Sequence, residues 1–313
     1  MVPRSLYIPI PDEVQDEDEG AEIETETNDN ATLRREWRSL STAEKLDYVE
    51  AVQCLYKKPS PMRPNTTIYE DFAWTHNRHA NETHQTAALL PWHRYYISIY
   101  EKALQHYCGY KGTLVYWNWA LDWEEPANSP IFDPDTGLGG DGIAGGAVTP
   151  SFGHCLHDGP FAHFRALYVN SRYAPHCLAR GFGDANQQGR FSGSPYRPQA
   201  MKEILAAETY EAFLERLLSA HRAVHNGVGG DFQSNTAPYD PLFFLHHTQV
   251  DRLWWIWQHK KADSRLTDYS GNVDISSNES ASLDDPLRMD PMAATVMVST
   301  VMSTETDLLC YSY

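Results

Sequence analysis

Asp240-Pro241-Leu242-Phe243-Phe244-Leu245-His246-His247, followed by Asp251-Arg252-Leu253-Trp254, is the stretch that decides how this chain is read. Its apolar residues recur at helical spacing and predict a helix over about 242–260 with two adjacent histidines near its start. Asp251 lies four residues after His247, on the same helix face. A carboxylate there is placed to accept the distal N–H of a metal-bound imidazole, which would fix the tautomer and raise its basicity.

Working outward, His221-x3-His225 falls on a predicted helix over about 207–226. Spacing of four puts both imidazoles on one face, one turn apart, as chelation of a single ion requires. The turn-rich connection 227–238 then brings His247 alongside. A second cluster reads His76-x7-His84-x8-His93, its last member inside Leu90-Pro91-Trp92-His93-Arg94. Predicted helices over about 68–84 and 92–107 supply His76 and His93, and the joining segment supplies His84. His79, one turn from His76, competes with it as a ligand. The remaining histidines, such as His106, His154, His157, His163, His176 and His259, read as ordinary surface or core residues. Six histidines at these spacings, with a carboxylate one turn on, are a much rarer coincidence.

Six neutral imidazoles without a coordinating carboxylate argue against magnesium, calcium and a two-His-one-carboxylate iron site. Zinc and copper both accept three imidazoles, so ligand type alone leaves that choice open.

The chain has 313 residues, enough to bury a large core, and 12 % are aromatic, including 9 Trp and 18 Tyr, which suits a rigid globular enzyme. Its formal charge of −17 is uneven: residues 1–30 hold ten acidic side chains against Arg4 alone, leaving −8 for the rest. Nucleic acid is disfavoured as a partner because clustered Lys and Arg are missing. No apolar run approaches the roughly 18–20 residues of a membrane span. Residues 1–20 show no secretory signal. Five cysteines and four Asn-x-Ser/Thr sequons (Asn30, Asn65, Asn81, Asn278) nevertheless lean towards a secretory history; the alternative is five buried thiols in the cytoplasm.

Two units are expected: an acidic, disordered tail over 1–32 and a catalytic domain over 33–313. Ser41-Thr42-Ala43-Glu44 reads as a capping box opening a helix that Pro59 and Pro61 end. Residues 124–200 are rich in Gly, Pro, Asn and Ser and read as long loops with a few short strands. The stretch 295–313 alternates weakly and reads as an edge strand or extended segment.

These residues resemble the type-3 copper proteins: tyrosinases, catechol oxidases and haemocyanins. Leu90-Pro91-Trp92-His93-Arg94 with Glu101 resembles the first copper motif. His221-x3-His225-x-Gly227-x-Gly229-Gly230, with Asp240-Pro241-x-Phe243-x-x-His246-His247-x3-Asp251-x2-Trp254, resembles the second. The likeness runs from about Arg35 to Tyr311-Ser312-Tyr313 and is closest to the short fungal members. It implies a mainly α fold, an antiparallel four-helix bundle holding a dicopper centre, with long loops and a few short strands. It implies two copper ions, one on His76, His84 and His93 and the other on His221, His225 and His247, with O2 as co-substrate and a small phenol as substrate. Asp251, His246 and Asp240 would stand behind the ligands; Arg222, Asn226, Phe243 and Leu218 would lie at the mouth, Phe243 in the family's ring-packing position beside the ligand imidazoles. The family's layout implies disulfides Cys54–Cys310 and Cys155–Cys177, leaving Cys108 out.

Three departures bear on activity. Glu82 stands where many members carry a thioether cysteine. Leu218 and Arg222 stand where efficient tyrosinases carry a glutamate and an asparagine that hold a water; leucine cannot hold one, and a guanidinium offers no acceptor. The chain also stops at the Tyr-x-Tyr ending, which implies no shielding domain and a pocket open as synthesised. The expected activity is therefore o-diphenol oxidation with weak or no monophenol hydroxylation. The rivals are tyrosinase proper, a haemocyanin-like oxygen carrier and a dinuclear zinc hydrolase.

Overall fold

The computed structural model describes residues 31–184, 187–274, 276 and 279–313. The acidic stretch 1–30 and the sequons at Asn30 and Asn278 lie outside them. Thr32, the last residue of the expected tail, and Leu33 pair in parallel with Tyr311 and Ser312.

Among the described residues eight α-helices follow one another: α1 Thr42–Lys57, α2 Ile68–Arg78, α3 Ala80–Thr83, α4 Leu89–Cys108, α5 Pro198–Leu205, α6 Tyr210–Val228, α7 Leu242–His259 and α8 Ala262–Arg265. The fold is the expected helical bundle, with short two-stranded sheets between the helices. The capping box at Ser41 and Glu44 forms as read, and Thr67 with Glu70 makes a second one at the start of α2. In α4, Pro91 sits in the first turn, where its missing N–H has no intrahelical partner to lose; Gly109, in the left-handed region at φ 68°, ends the helix.

The helix predicted over 68–84 breaks at His79, and the break serves the site. Continued straight, it would carry His84 about 12 Å along the axis from His76. Instead the chain turns through α3, His84 takes extended backbone, and its ring closes to 4.8 Å from that of His76. The helix α5 falls at the end of the stretch read as loop.

α4 packs against α1 and α7, and α1 also against α2. Phe244 on α7 fills the contact with α4, stacking on Tyr100 at 3.4 Å between centroids and on Tyr96 at 6.1 Å. Phe213 on α6 stacks against Trp257 of α7 at 5.0 Å. The end of the chain is less regular than the alternation predicted: Val296–Met297 pairs with Pro286–Leu287, and only Tyr311–Ser312 forms another strand.

Cys54 is bonded to Cys108, not to Cys310, which corrects one expected disulfide. The bond joins the last turn of α1 to the last residue of α4, two helices already packed together. Cys310 lies at the other junction, where its carbonyl accepts from the backbone N–H of Thr32. Cys155–Cys177 forms as expected.

Candidate metal centre

Each cluster is assembled from elements that cannot meet by local folding alone. His76 comes from α2, His93 from α4 and His84 from the extended residue after α3; their rings stand 4.8 to 5.3 Å apart. His221 and His225, one turn apart on α6, meet His247 of α7, with ring centroids 4.6 to 5.7 Å apart. In each cluster one nitrogen per ring falls within 4.8 Å of the others. The clusters adjoin, for His93 and His247 lie face to face at 4.2 Å.

Backbone carbonyls set the tautomers. Nδ1 of His76 meets the Asn235 carbonyl at 2.6 Å, and Nδ1 of His225 the Phe232 carbonyl at 2.6 Å. His93 and His84 use the carbonyls of Leu89 and Ala80, at 2.8 and 3.0 Å. A carbonyl only accepts, so in all four rings the proton sits on Nδ1 and the Nε2 lone pair is left bare.

Those lone pairs test whether a metal fits. Nε2 of His76 and of His93 face each other at 3.2 Å, and with both protons on Nδ1 neither can donate. Two lone pairs at that distance repel unless a cation lies between or beside them. Both ring nitrogens of His221 and His247 are buried without a hydrogen-bond partner, which is costly unless a ligand uses one. Burial pushes the pKa of every one of the six imidazoles down, and neighbouring imidazoles lower most of them further; His225 falls to about 4. They are neutral at pH 7, the form that binds metal. Neither cluster includes a carboxylate, so the donors match an imidazole-preferring transition metal.

Other expected residues are placed differently. Asp251 does not bond a ligand imidazole. Its carboxylate takes Nε of Arg94 at 2.5 Å and the hydroxyls of Tyr311 and Tyr313 at 2.6 Å each, with Arg34 at 3.5 Å. The i+4 geometry is real, but two arginines offer stronger partners than a neutral ring. Asp240 stands further back, in a two-point ion pair with Arg180 at 2.7 and 2.9 Å, and caps α7 at the Leu242 N–H. His79 turns its Nε2 to the Asp290 carbonyl, 3.3 Å away, and is not part of the first cluster.

His246 is closer than its expected supporting place. One of its ring nitrogens shares the 4.8 Å neighbourhood of His221, His225 and His247, and neither nitrogen has a partner. Its ring faces Trp119 and Phe232, however, while that of His247 faces His93 of the other cluster. Of the two, His247 is the one whose ring packs against the other cluster.

Phe243 is not a mouth residue. It is fully buried, with its ring 4.9 Å from that of His76 and 4.2 Å from that of His247, and forms a floor under both clusters. The mouth is a cavity of about 250 Å³. His76, His84, His221 and His225 form its base, and Leu89, Leu218, Arg222, Asn226, Gln85, Gln233, Ser234 and Asn235 its walls. Leu89, Gln85, Gln233, Ser234 and Asn235 were not legible in the sequence. For 233–235 the one trace was Gly229-Gly230: both have positive φ, and a Cβ on Gly230 would stand 2.3 Å from the Ala179 carbonyl, so the turn carrying them needs glycine there.

The comparisons agree with this geometry. Residues 66–260 match the common central domain of tyrosinase. The chain is 46 % identical over 285 residues to tyrosinase ustQ of Aspergillus flavus, covering 91 % of this chain and 80 % of that protein. It is 42 % identical over 288 residues to the tyrosinase-like protein phomQ2 of Diaporthe leptostromiformis, covering 91 % and 73 %. A polyphenol oxidase from Thermothelomyces thermophila superposes with a TM-score of 0.76 at 29 % identity, covering 91 % of this chain and 89 % of that one. A functional unit of Octopus haemocyanin shares the fold, with a TM-score of 0.62 at 19 % identity, covering 90 % and 68 %. The three-by-three histidine centre and these matches together place the chain in the tyrosinase family, among the short fungal type-3 copper proteins.

Proposed function

We propose that this chain is an o-diphenol oxidase that converts catechols to o-quinones with O2, hydroxylates monophenols weakly or not at all, and favours substrates bearing a carboxylate. His76, His84 and His93 would hold one copper ion and His221, His225 and His247 the other. Bound copper would supply the two-electron exchange, so that two catechols and one O2 give two o-quinones and two waters.

The observation that carries the reading is the make-up of the mouth: among the described residues no Asp or Glu lines it. A phenol hydroxyl, with a pKa near 10, is almost wholly protonated at neutral pH, and a monophenol needs a base before its oxygen can ligate. Leu218 offers none, Arg222 only donates, and the second nitrogens of His76, His84 and His225 are held by carbonyls. A catechol presents two vicinal oxygens and needs no added oxygen atom; the two protons it loses with its two electrons end in the waters formed from O2.

Arg222 supplies the substrate preference. It is exposed at the rim, and no carboxylate among the described residues pairs with it. The neighbouring polar groups are amides: Gln233 donates to Asn226 at 3.0 Å, and Gln85 and Asn235 complete the ring. A lone guanidinium among neutral donors suits a carboxylate on the far side of a phenol. A cavity of about 250 Å³ holds one aromatic ring and leaves such a substituent at the rim. The two disulfides favour an oxidising compartment. Among the described residues no helix is long and apolar enough to cross a membrane.

Oxygen uptake by copper-loaded protein tests the reading, with a catechol and monophenol series and with caffeate against a neutral catechol. Catechol turnover, negligible monophenol turnover and a caffeate preference that Arg222→Ala abolishes are expected. Monophenol turnover without a long lag would instead favour tyrosinase. Reversible oxygen binding without catechol turnover would favour a carrier.

A further inference from the structure

One short turn, 229–236, touches both metal clusters. Its Phe232 carbonyl fixes His225 of the second, and its Asn235 carbonyl, three residues on, fixes His76 of the first. Neither carbonyl belongs to the helix bearing the histidine it holds. The orientation of one ligand in each cluster therefore depends on what holds this turn.

It is held from outside the bundle, by the hairpin of Arg165–Val169 and Arg172–Cys177 and the strand Ala179–Arg180 after it. Asp231, fully buried, accepts from Nε2 of His176 at 2.8 Å and from the Ala179 N–H at 2.8 Å. At the hairpin's tip, the Asn170 side-chain oxygen accepts from the Asn235 N–H at 2.8 Å, and the Asn170 N–H donates to Thr236 at 3.2 Å. Thr236 in turn donates to the Tyr168 carbonyl at 3.2 Å. The Cys155–Cys177 disulfide anchors the hairpin's last residue.

We infer that Asp231 and Asn170 are positioning residues for the metal centre: the hairpin, acting through the turn 229–236, sets the aim of His76 and His225 together and governs how firmly both ions are retained. This rests on the reading that the clusters bind copper. Outer partners of ligand imidazoles commonly change metal affinity by about 10–100-fold, and here one element serves two sites.

Asn170 allows a test that spares the fold. It is exposed, with φ at 53°, so Asn170→Gly keeps the backbone shape and the N–H while removing the acceptor for Asn235; Asn170→Asp keeps the acceptor. Copper-loaded wild type, both variants and Asp231→Asn are challenged with a chelator, metal release is followed over time, and the melting temperature of each apo-protein is recorded. Release at least about tenfold faster is expected for Asn170→Gly and Asp231→Asn. Wild-type release is expected for Asn170→Asp, with the apo melting temperatures of the two Asn170 variants alike. Asn170→Gly retaining copper like the wild type would overturn the inference. So would Asn170→Asp releasing copper as fast as Asn170→Gly. A wild type that takes up no copper would sink the metal assignment itself, a separate failure.

Discussion

Arg94 and Asp251 meet at 2.5 Å across the contact between α4 and α7, each placed beside a ligand. Arg94 follows His93 directly, and Asp251 lies one turn beyond His247. Their ion pair clamps the two helices where those imidazoles stack at 4.2 Å. Both side chains are buried; Arg94 also donates to the carbonyls of Val301 and Met302, and Arg34 with Glu101 adds a second pair to the cluster. The charge on Asp251 thus builds the centre without touching it.

Removing one partner leaves an uncompensated buried charge. Asp251→Ala should cost about 3–5 kcal/mol, measured by denaturant unfolding of the apo-protein. In the double variant Asp251→Leu with Arg94→Met, the loss should be well below the sum of the two single losses, because no charge is then stranded.

Ligand assignment is read by metal content. His84→Ala and His225→Ala should each lower bound copper from about two ions per chain to about one, while His79→Ala keeps both. Elemental analysis decides it. A full complement in His84→Ala would refute the first cluster as drawn.

A base at the mouth should restore what the lining lacks. Leu218→Glu with Arg222→Asn is expected to raise the ratio of monophenol to diphenol turnover by about tenfold or more. The ratio, taken from initial oxygen uptake on matched substrates, is insensitive to differences in copper loading.

The Cys54–Cys108 bond closes a segment of 54 residues. Cross-linking a loop of that length stabilises by about 4 kcal/mol in the chain-entropy account. Cys54→Ser should lower stability by roughly this amount in denaturant melts. Cys310→Ser should cost far less, which the pairing first expected from the family would not allow.

His176 and Asp231 should make the apo-protein's stability depend on pH. Both ring nitrogens of His176 face acceptors, the Asp231 carboxylate and the Ala174 carbonyl at 2.6 Å. Burial and nearby Arg165 disfavour the charged ring, but the bond and charge of Asp231 outweigh them, and its pKa is raised above 6.5. Burial likewise raises that of Asp231 against the pull of His176, so the folded pair holds its protons more tightly than the unfolded chain. The stabilisation is complete below the unfolded histidine's pKa of about 6.5 and is lost as pH rises through the higher folded value. The six ligand imidazoles, with lowered pKa values, act in the opposite sense, so the check is a difference: the melting-temperature advantage of the wild type over His176→Phe should shrink as pH rises from 6.5.

What could be read from residue order alone was what repeats at helical spacing or forms a compact motif. The four ligand-bearing helical segments, the capping box at Ser41 and the two histidine clusters belong to that class; the choice of His76 over His79 and the departures at Glu82, Leu218 and Arg222 came from the family resemblance. The break at His79 was not legible, since nothing local forbids another turn there; the gain comes from His84 reaching His76. Asp251 shows the limit most plainly. Its spacing from His247 was right, yet its partner was decided by Arg94, Tyr311 and Tyr313, far away in the chain.

Sequence by itself determined the spacing of the candidate donors within each helix, because a period of 3.6 residues places His221 and His225 on one face whatever surrounds them. Tertiary structure alone decided how the two triads face each other, which carbonyls hold the rings, where Cys54 pairs and what lines the mouth. These depend on contacts between segments that only packing brings together, and a backbone carbonyl leaves no mark in the identity of its residue.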